Sequence, residues 1–272
     1  MIHMIRHSQQ VADTVHLSKQ QLSVYLQCPR RYYYQYILAL PWEETPVSVC
    51  FGRAIHEAVA VYYRSLLQGE TLPLAELVEQ FRRSWQQEVI GDGLIYGANE
   101  TPESLERLGE RLLAVFWEQI RPRQIEAVEL PFAVALYDPD TREALGVKLV
   151  GVIDLIESDD EGNYILVELK TARRRMSDEE SRGKLDGMVY AYAMQELGLT
   201  TSEGDVLVRY DVLIKGKRPA FEQVYATSSL SDRRRFLELC RDVERAIESG
   251  AFYRREGWPC RSCPYRKTCR ER

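Results

Sequence analysis

Between Gly151 and Ala172 the chain reads GVIDLIESDDEGNYILVELKTA, and three residues in it carry chemistry. Asp154 lies in a Val-, Ile- and Leu-rich strand pattern from about Val147 to Glu157. Ser158 to Asn163 supply turn residues, and Tyr164 to Thr171 resume the strand pattern. Alternation places Tyr164, Leu166, Glu168 and Lys170 on one face of the second strand and Ile165, Val167 and Leu169 on the other. Buried charges need partners, because an unpaired one costs several kcal/mol. Asp154, Glu168 and Lys170 together leave one surplus negative charge, which a divalent cation would satisfy. A carboxylate pair holds Mg²⁺ or Mn²⁺ through hard oxygens, with water and substrate phosphate completing the shell. Such a cation acidifies a coordinated water and neutralises charge on a phosphate oxygen, and a lysine beside it can orient the water or stabilise the transition state. The bare pattern D-x13-E-x-K also suits an ordinary salt bridge within a hairpin.

Cysteine is the second chemically loaded residue type. Cys260, Cys263 and Cys269 form C-x2-C-x5-C near one end of the sequence, and Cys28 stands beside a proline near the other. Four thiols from two loop-like segments suit a closed metal or cluster site. The uneven three-plus-one grouping is less typical of zinc, which favours paired C-x2-C knuckles. Cys50 and Cys240 lie in apolar sequence and read as core residues. His56, in FGRAIHEAV, borders an apolar helical stripe and suits either a core position or a ligand. Asp186 and Tyr190, four apart in DGMVYAYA, share a helix face. Arginines cluster at Arg30-Arg31, Arg173 to Arg175 and Arg233 to Arg235.

The surrounding elements are legible from periodicity. Ser18 to Gln21 resembles a capping box opening a helix to about Gln27, and the aromatic run Tyr32 to Tyr36 follows. Apolar residues from Phe51 to about Gln68 recur at helical spacing. Further helices are expected from Leu74 to Ile90 and from Pro102 to about Ile120, separated by a Gly-rich loop from Gly91 to Gly97. Strands follow from Ala127 to Tyr137 and through the hairpin, then a helix from Lys184 to Leu197. Strands from Val206 to Ile214 and Ala220 to Thr227 precede a long helix from Leu230 to Ser249. This order predicts an α/β core in residues 17–272 with a helical layer inserted at about residues 70–125, preceded by a flexible tail of residues 1–16.

At 272 residues, 45% hydrophobic and 28% charged, the chain can bury a sizeable core and does not read as disordered. No apolar run approaches the ~18 residues that span a bilayer, and no secretory signal is legible, so a cytoplasmic location is expected. A net charge of −5 advertises no global basic field, though it leaves room for a local basic track. No G-x4-G-K-[ST] loop occurs, so no nucleotide-driven motor is expected within the chain.

Taken in order, these motifs resemble the PD-(D/E)XK nucleases of the RecB type. The similarity is closest to the branch with a cysteine-ligated 4Fe–4S cluster, which includes CRISPR-associated exonucleases and the nuclease domain of AddB-type helicase–nucleases. LSKQQLSVYLQCPRRYYYQYIL resembles the segment carrying that branch's first cluster cysteine. GRAIHEAV resembles its histidine motif, GVIDLIE its aspartate motif, VELKTA its E-x-K motif and WPCRSCPYRKTC its cysteine triplet. The resemblance implies a restriction-endonuclease-like fold, a mixed β-sheet flanked by helices, with a clasp joining residue 28 to residues 260–269. It implies His56, Asp154 and Glu168 as ligands of Mg²⁺ or Mn²⁺, the Leu169 backbone carbonyl as a fourth, and Lys170 and Tyr190 as catalytic residues. Cys28, Cys260, Cys263 and Cys269 would hold the 4Fe–4S cluster, with Zn²⁺ as the alternative occupant. The implied activity is a deoxyribonuclease, an exonuclease on single-stranded DNA or DNA ends that leaves 5′-phosphate and 3′-hydroxyl products. Arg173, Arg174 and Arg175 are placed to contact the DNA backbone. A helicase or CRISPR adaptation proteins are the implied partners, in antiviral defence or DNA repair. One position departs from the pattern: Asp186 stands where the family's following helix carries glutamine, so it either repels phosphate or joins the metal shell. A non-catalytic nucleic-acid-binding or assembly subunit that keeps the same fold is the rival reading.

Overall fold

The computed structural model describes residues 16–90, 93–200 and 204–271. Residues 1–15, which hold nearly all of the expected tail, and residues 91–92 of the expected Gly-rich loop lie outside them. His16 does not belong to a tail: it opens β1 (His16–Ser18), which leads directly into α1 (Lys19–Gln27). The helix ends at Gln27 as expected, with Cys28 extended, but the aromatic run beyond it is helical too. A new short helix, α2 (Pro29–Tyr32), starts there and passes into a π-helical turn over Tyr33–Ile37.

Helices then cover both faces of one sheet. On one side lie α3 (Val47–Leu67), α4 (Leu74–Glu88) and α5 (Pro102–Gln119). A short parallel pair, β2 (Thr45–Pro46) with β3 (Leu94–Ile95), stands beside them. The sheet comprises β4 (Gln124–Tyr137), β5 (Ala144–Ser158), β6 (Tyr164–Ala172), β7 (Val206–Ile214) and β8 (Ala220–Ser228), with β1 added to β5. Between β6 and β7 come α6 (Asp178–Ser181) and α7 (Leu185–Glu196), and α8 (Leu230–Glu248) follows β8. A 3₁₀ turn at Trp258–Ser262 and α9 (Arg266–Glu271) complete the described chain. The architecture is the expected mixed α/β fold.

Strands covered on both faces must be apolar on both, and this sheet is. Leu17, Ile153, Leu166 and Val208 pack with Leu22, Val189 and Phe236 on one side. Leu155, Val167 and Leu213 pack with Phe51, Ile55, Phe81 and Phe116 on the other. The helical layer expected at about residues 70–125 packs into this second side of the core together with α3: Phe51 of α3 meets Phe81 and Trp85 of α4 at ring distances of 6.1 and 6.0 Å. Thr101 and Ser104 form a reciprocal capping box at α5, where Pro102 occupies the first helical position. At α1 only half of the expected box forms. Ser18 Oγ accepts from the Gln21 N–H at 3.1 Å, while Gln21 Oε1 is buried without a partner.

The register of β5 creates the opening that matters. One edge pairs with β4 from Ala144 to Ser158. The other edge is shared: β1 runs parallel to it at Lys148–Val150, and β6 runs antiparallel at Leu155–Ser158. Residues 151–154 face neither, so the sheet forks, with β1 and α1 on one prong and the second half of β6 on the other. Gly151 lies in the fork, where a Cβ would sit 2.7 Å from the Phe132 ring. Gly187 serves similarly in α7, since a Cβ there would stand 2.9 Å from Tyr210 Oη and hold the helix off the sheet.

Candidate active site

Asp154 is the last β5 residue inside the fork, and Glu168 and Leu169 are the first β6 residues beyond the β5–β6 ladder. The Leu169 N–H, released from that ladder, donates to Asp154 Oδ2 at 3.0 Å. The carboxylate thus substitutes for a strand partner and is pinned beside the second acid. His56 arrives from α3, on the opposite side of the sheet from α1, with Nδ1 3.6 Å from Asp154 Oδ2.

Glu168 is 2% exposed, and its two oxygens have different fates. Oε1 takes the Lys170 ammonium at 2.8 Å and the Lys19 ammonium at 2.6 Å. Oε2 is buried with no hydrogen-bond partner. Asp186, at the start of α7, closes a ring of four charges, with Oδ1 3.1 Å from Lys19 Nζ and Oδ2 3.0 Å from Lys170 Nζ. Two cations and two anions alternate around it. Tyr190 is buried one helical turn further on, and its ring lies 4.8 Å below the Lys19 ammonium.

Lys19 has no counterpart in the motif reading. The one local signal is its place at the first position of a helix, where a cation faces the positive end of the helix dipole and needs an anion nearby to stay. That anion, Glu168, is 149 residues away in sequence.

The electrostatics follow from burial and these neighbours. Burial, reinforced by the Glu168 charge, pushes the Asp154 carboxyl up to about 7, against the pull of the Leu169 N–H and both lysines. Burial holds the His56 imidazole below its usual value, with Lys170 and Lys19 adding to the effect and Glu168 opposing it. It is neutral at neutral pH, the state in which a ring nitrogen can ligate a metal. Burial alone would raise Asp186, but Lys170 and Lys19 outweigh it and hold it ionised below the carboxylate range. Burial keeps the Tyr190 phenol protonated well beyond its usual value.

Space is available on the α3 side. A cavity of ≈ 800 Å³ opens beside His56, with Arg53, Arg83, Gln87 and Glu129 among its walls. A second cavity of ≈ 30 Å³, the size of about one water, lies between His56, Asp154, Tyr63 and Asp211.

A family model for the PD-(D/E)XK nuclease superfamily matches residues 16–270, nearly the whole length. The chain belongs to the PD-(D/E)XK nuclease superfamily. Members of this superfamily generally use Mg²⁺ or Mn²⁺. No curated protein matches the chain. Among solved structures it is similar to the "Putative exonuclease" of Eubacterium rectale, at 10% identity and a TM-score of 0.49, covering 86% of this chain and 82% of that one. It is also similar to the protein named SSO0001, at 16% identity and a TM-score of 0.32, covering 91% and 90%.

Within this nuclease-superfamily fold, the structure gathers His56, Asp154, Glu168, Lys170, Asp186 and Tyr190 at one fork and adds Lys19. Among the described residues, no three His, Cys, Asp or Glu side chains form a ready-made single-ion cluster. At the fork the reason is visible: Glu168 Oε1 is occupied by two ammonium groups and Asp154 Oδ2 by a backbone N–H. Cys28, Cys260, Cys263 and Cys269 do meet, around a shared cavity of ≈ 510 Å³. Protein contacts alone already join the two ends they come from. Tyr25 Oη donates to the Ala251 carbonyl at 2.8 Å, the Arg30 N–H to that of Tyr253 at 3.0 Å, and Tyr265 Oη to that of Leu40 at 2.9 Å. The Arg173, Arg174 and Arg175 side chains are exposed, but each is tied to a carboxylate, Glu100, Glu180 and Glu222 respectively.

Proposed function

We propose that this protein is a metal-dependent deoxyribonuclease, an exonuclease acting on single-stranded DNA or DNA ends. The observation that carries the reading is the division of Glu168, whose charge acts on both Asp154 and His56: one oxygen is saturated by Lys19 and Lys170, and the other is buried without a partner. An orphaned buried carboxylate oxygen costs free energy and fits a hard divalent cation. Asp154, Glu168 and neutral His56 would hold Mg²⁺ or Mn²⁺, with the Leu169 carbonyl within the same turn of strand. The cation would supply an acidified water and charge neutralisation at the phosphate. Lys170 presents an ammonium at the same carboxylate, positioned to stabilise negative charge on the attacked phosphodiester. Tyr190 stays protonated and packs beneath Lys19. Asp186 carries no free negative charge to repel phosphate, because it is engaged by both lysines. That speaks against one ground for a non-catalytic subunit, the other being the net charge of −5.

The test compares wild type with Asp154→Ala and Lys170→Ala on labelled single-stranded DNA in Mn²⁺. Each substitution should cost on the order of 10²-fold or more in rate. A wild type that cuts no better than these variants in several metals would sink the assignment.

The four cysteines fit a 4Fe–4S cluster better than one zinc. They border one shared cavity, and their uneven three-plus-one grouping is less typical of zinc, which favours paired C-x2-C knuckles. Anaerobically purified protein should be brown with a broad visible absorption band. Colourless protein with stoichiometric zinc would overturn iron.

A further inference from the structure

Arginine dominates the cavity at the cysteine end. Arg30 and Arg31 border it from α2, next to Cys28. Arg254 and Arg255 border it from the segment between α8 and the cysteine triplet, and Arg261 from within the triplet. Arg266 and Arg270 do so from α9. Against these seven guanidinium groups the same lining contains one acid, Glu256. Among the described residues none of the seven lies within ion-pairing distance of a carboxylate. Their contacts are of other kinds: Arg255 Nη1 donates to the Leu26 carbonyl at 2.6 Å and Arg31 Nη1 to Gln27 Oε1 at 2.9 Å. Arg30 lies over the Tyr33 ring and Arg31 over the Trp42 ring. The Nε atoms of Arg30 and Arg31 are buried and unpartnered.

Many surface arginines elsewhere are neutralised. Arg53 pairs with Glu88, Arg82 with Glu110, Arg234 with Asp140, Arg235 with Asp232, and each of Arg173, Arg174 and Arg175 with its own acid. In a chain of net charge −5, other arginines outside these ion pairs, such as Arg83, Arg123 and Arg182, come from separate segments, whereas these seven line one cavity. Even if all four cysteines were thiolates, the arginines would outnumber them. A concentration of like charge destabilises the fold by self-repulsion and creates a local positive field that draws an anionic partner.

Two aromatic side chains identify the kind of anion. The segment Tyr253-Arg254-Arg255-Glu256-Gly257-Trp258 leaves Tyr253 61% and Trp258 76% exposed. Inorganic anions and duplex backbones offer nothing for a large exposed ring to stack on. Single strands offer both phosphates and unstacked bases, and proteins that bind them combine a basic track with stacking rings.

We propose that the arginine-rich face around the cysteine cavity, with Tyr253 and Trp258 as stacking platforms, is a docking site for single-stranded nucleic acid. Arg254, Arg255 and Arg261 contact phosphates there, and Trp258 stacks on a base. The inference deepens the nuclease reading by naming where the strand is held away from the fork. It also moves the backbone contact from Arg173 to Arg175, which are already paired, to arginines that are not.

Binding is measured by anisotropy of a fluorescein-labelled oligothymidylate in EDTA, which prevents cutting. Trp258→Ala should weaken binding on the order of tenfold. The Arg254→Ala/Arg255→Ala pair should lower the slope of log affinity against log salt by about 1.4, two phosphates' worth. Arg234→Ala/Arg235→Ala, which removes paired arginines, should change neither. The substituted positions are exposed, and a melting curve checks that each variant folds. In wild type, an iododeoxyuridine oligonucleotide should photo-crosslink to the peptide containing Tyr253 and Trp258. Unchanged affinity and salt slope in both variants, or crosslinks confined to other peptides, would overturn the docking site. Wild type that binds as expected but never cuts would overturn the nuclease reading and leave the docking site intact. Wild type that cuts, with binding indifferent to these residues, would do the reverse.

Discussion

The ionic cluster around Arg209 and the one around Lys170 each draw an acid from β5, Glu157 and Asp154, three residues apart. The Arg209 cluster is complete. Its guanidinium, 1% exposed, spans Glu157 and Asp211, with contacts of 3.1 Å to Glu157 Oε1 and of 2.8 and 3.1 Å to the Asp211 oxygens. Gln223 donates to Asp211 at 3.1 Å as well. The Lys170 cluster sits where the sheet forks, is partly open to solvent, and leaves Glu168 Oε2 with nothing to bind. One cluster uses buried charge to fix a strand pair, and the other keeps a carboxylate in reserve. Charge in this sheet is therefore not evidence of function by itself; what sets the second cluster apart is a buried carboxylate oxygen with no partner.

The comparison breaks if the two clusters respond alike to losing a charge. Arg209→Met should lower the unfolding free energy by about 3–5 kcal/mol, since it strands two buried carboxylates. Chemical denaturation measures it, and a loss under about 1 kcal/mol would mean that the cluster is not what fixes these strands. Asp154→Asn should act in the opposite direction in metal-free protein at pH 8. The folded Asp154 carboxyl titrates at about 7 against 3.8 for the ordinary group. Between those values the folded state holds a proton that the unfolded state has lost, so metal-free stability falls as pH rises from about 4 to about 7. The asparagine variant should flatten that slope and be the more stable protein above pH 7, by about 1–2 kcal/mol. An unchanged slope would show that the carboxylate is already satisfied without a cation.

The contrast also marks what was readable beforehand. Asp154, Glu168 and Lys170 were legible because strand alternation is local, and His56 because its helix stripe and motif are local too. The strand bounds came out close, with β5 extending to Ala144 and Ser158 as its long pairing with β4 requires. Lys19 was not legible. It reaches the site only because β1 pairs in parallel with β5 at Lys148–Val150, a register no short window encodes. The π-helical turn at Tyr33–Ile37 escaped for a similar reason, as its rings pack on Phe252 and Tyr265 from the far end of the sequence. Arg173 to Arg175 looked free in sequence because their acids, Glu100, Glu180 and Glu222, come from three separate segments.

Lys19 gives the finest division between the clusters, because it separates a ring that balances charge from one that only packs. With Lys19 and Lys170 facing Glu168 and Asp186, the four groups sum to neutral, and Asp186 exerts no net repulsion on a phosphate. Lys19→Met removes one cation and leaves the ring negative, so nuclease activity should fall about tenfold, mainly through weaker substrate binding. Asp186→Asn in that background restores neutrality and should recover activity to within about threefold of wild type. The pair should therefore be non-additive, with a coupling of about 1–2 kcal/mol. If the double variant were as poor as the two single losses multiplied, Lys19 would be anchoring α1 rather than balancing Asp186. The acid at position 186 would then stand uncompensated beside the phosphate it is supposed to tolerate.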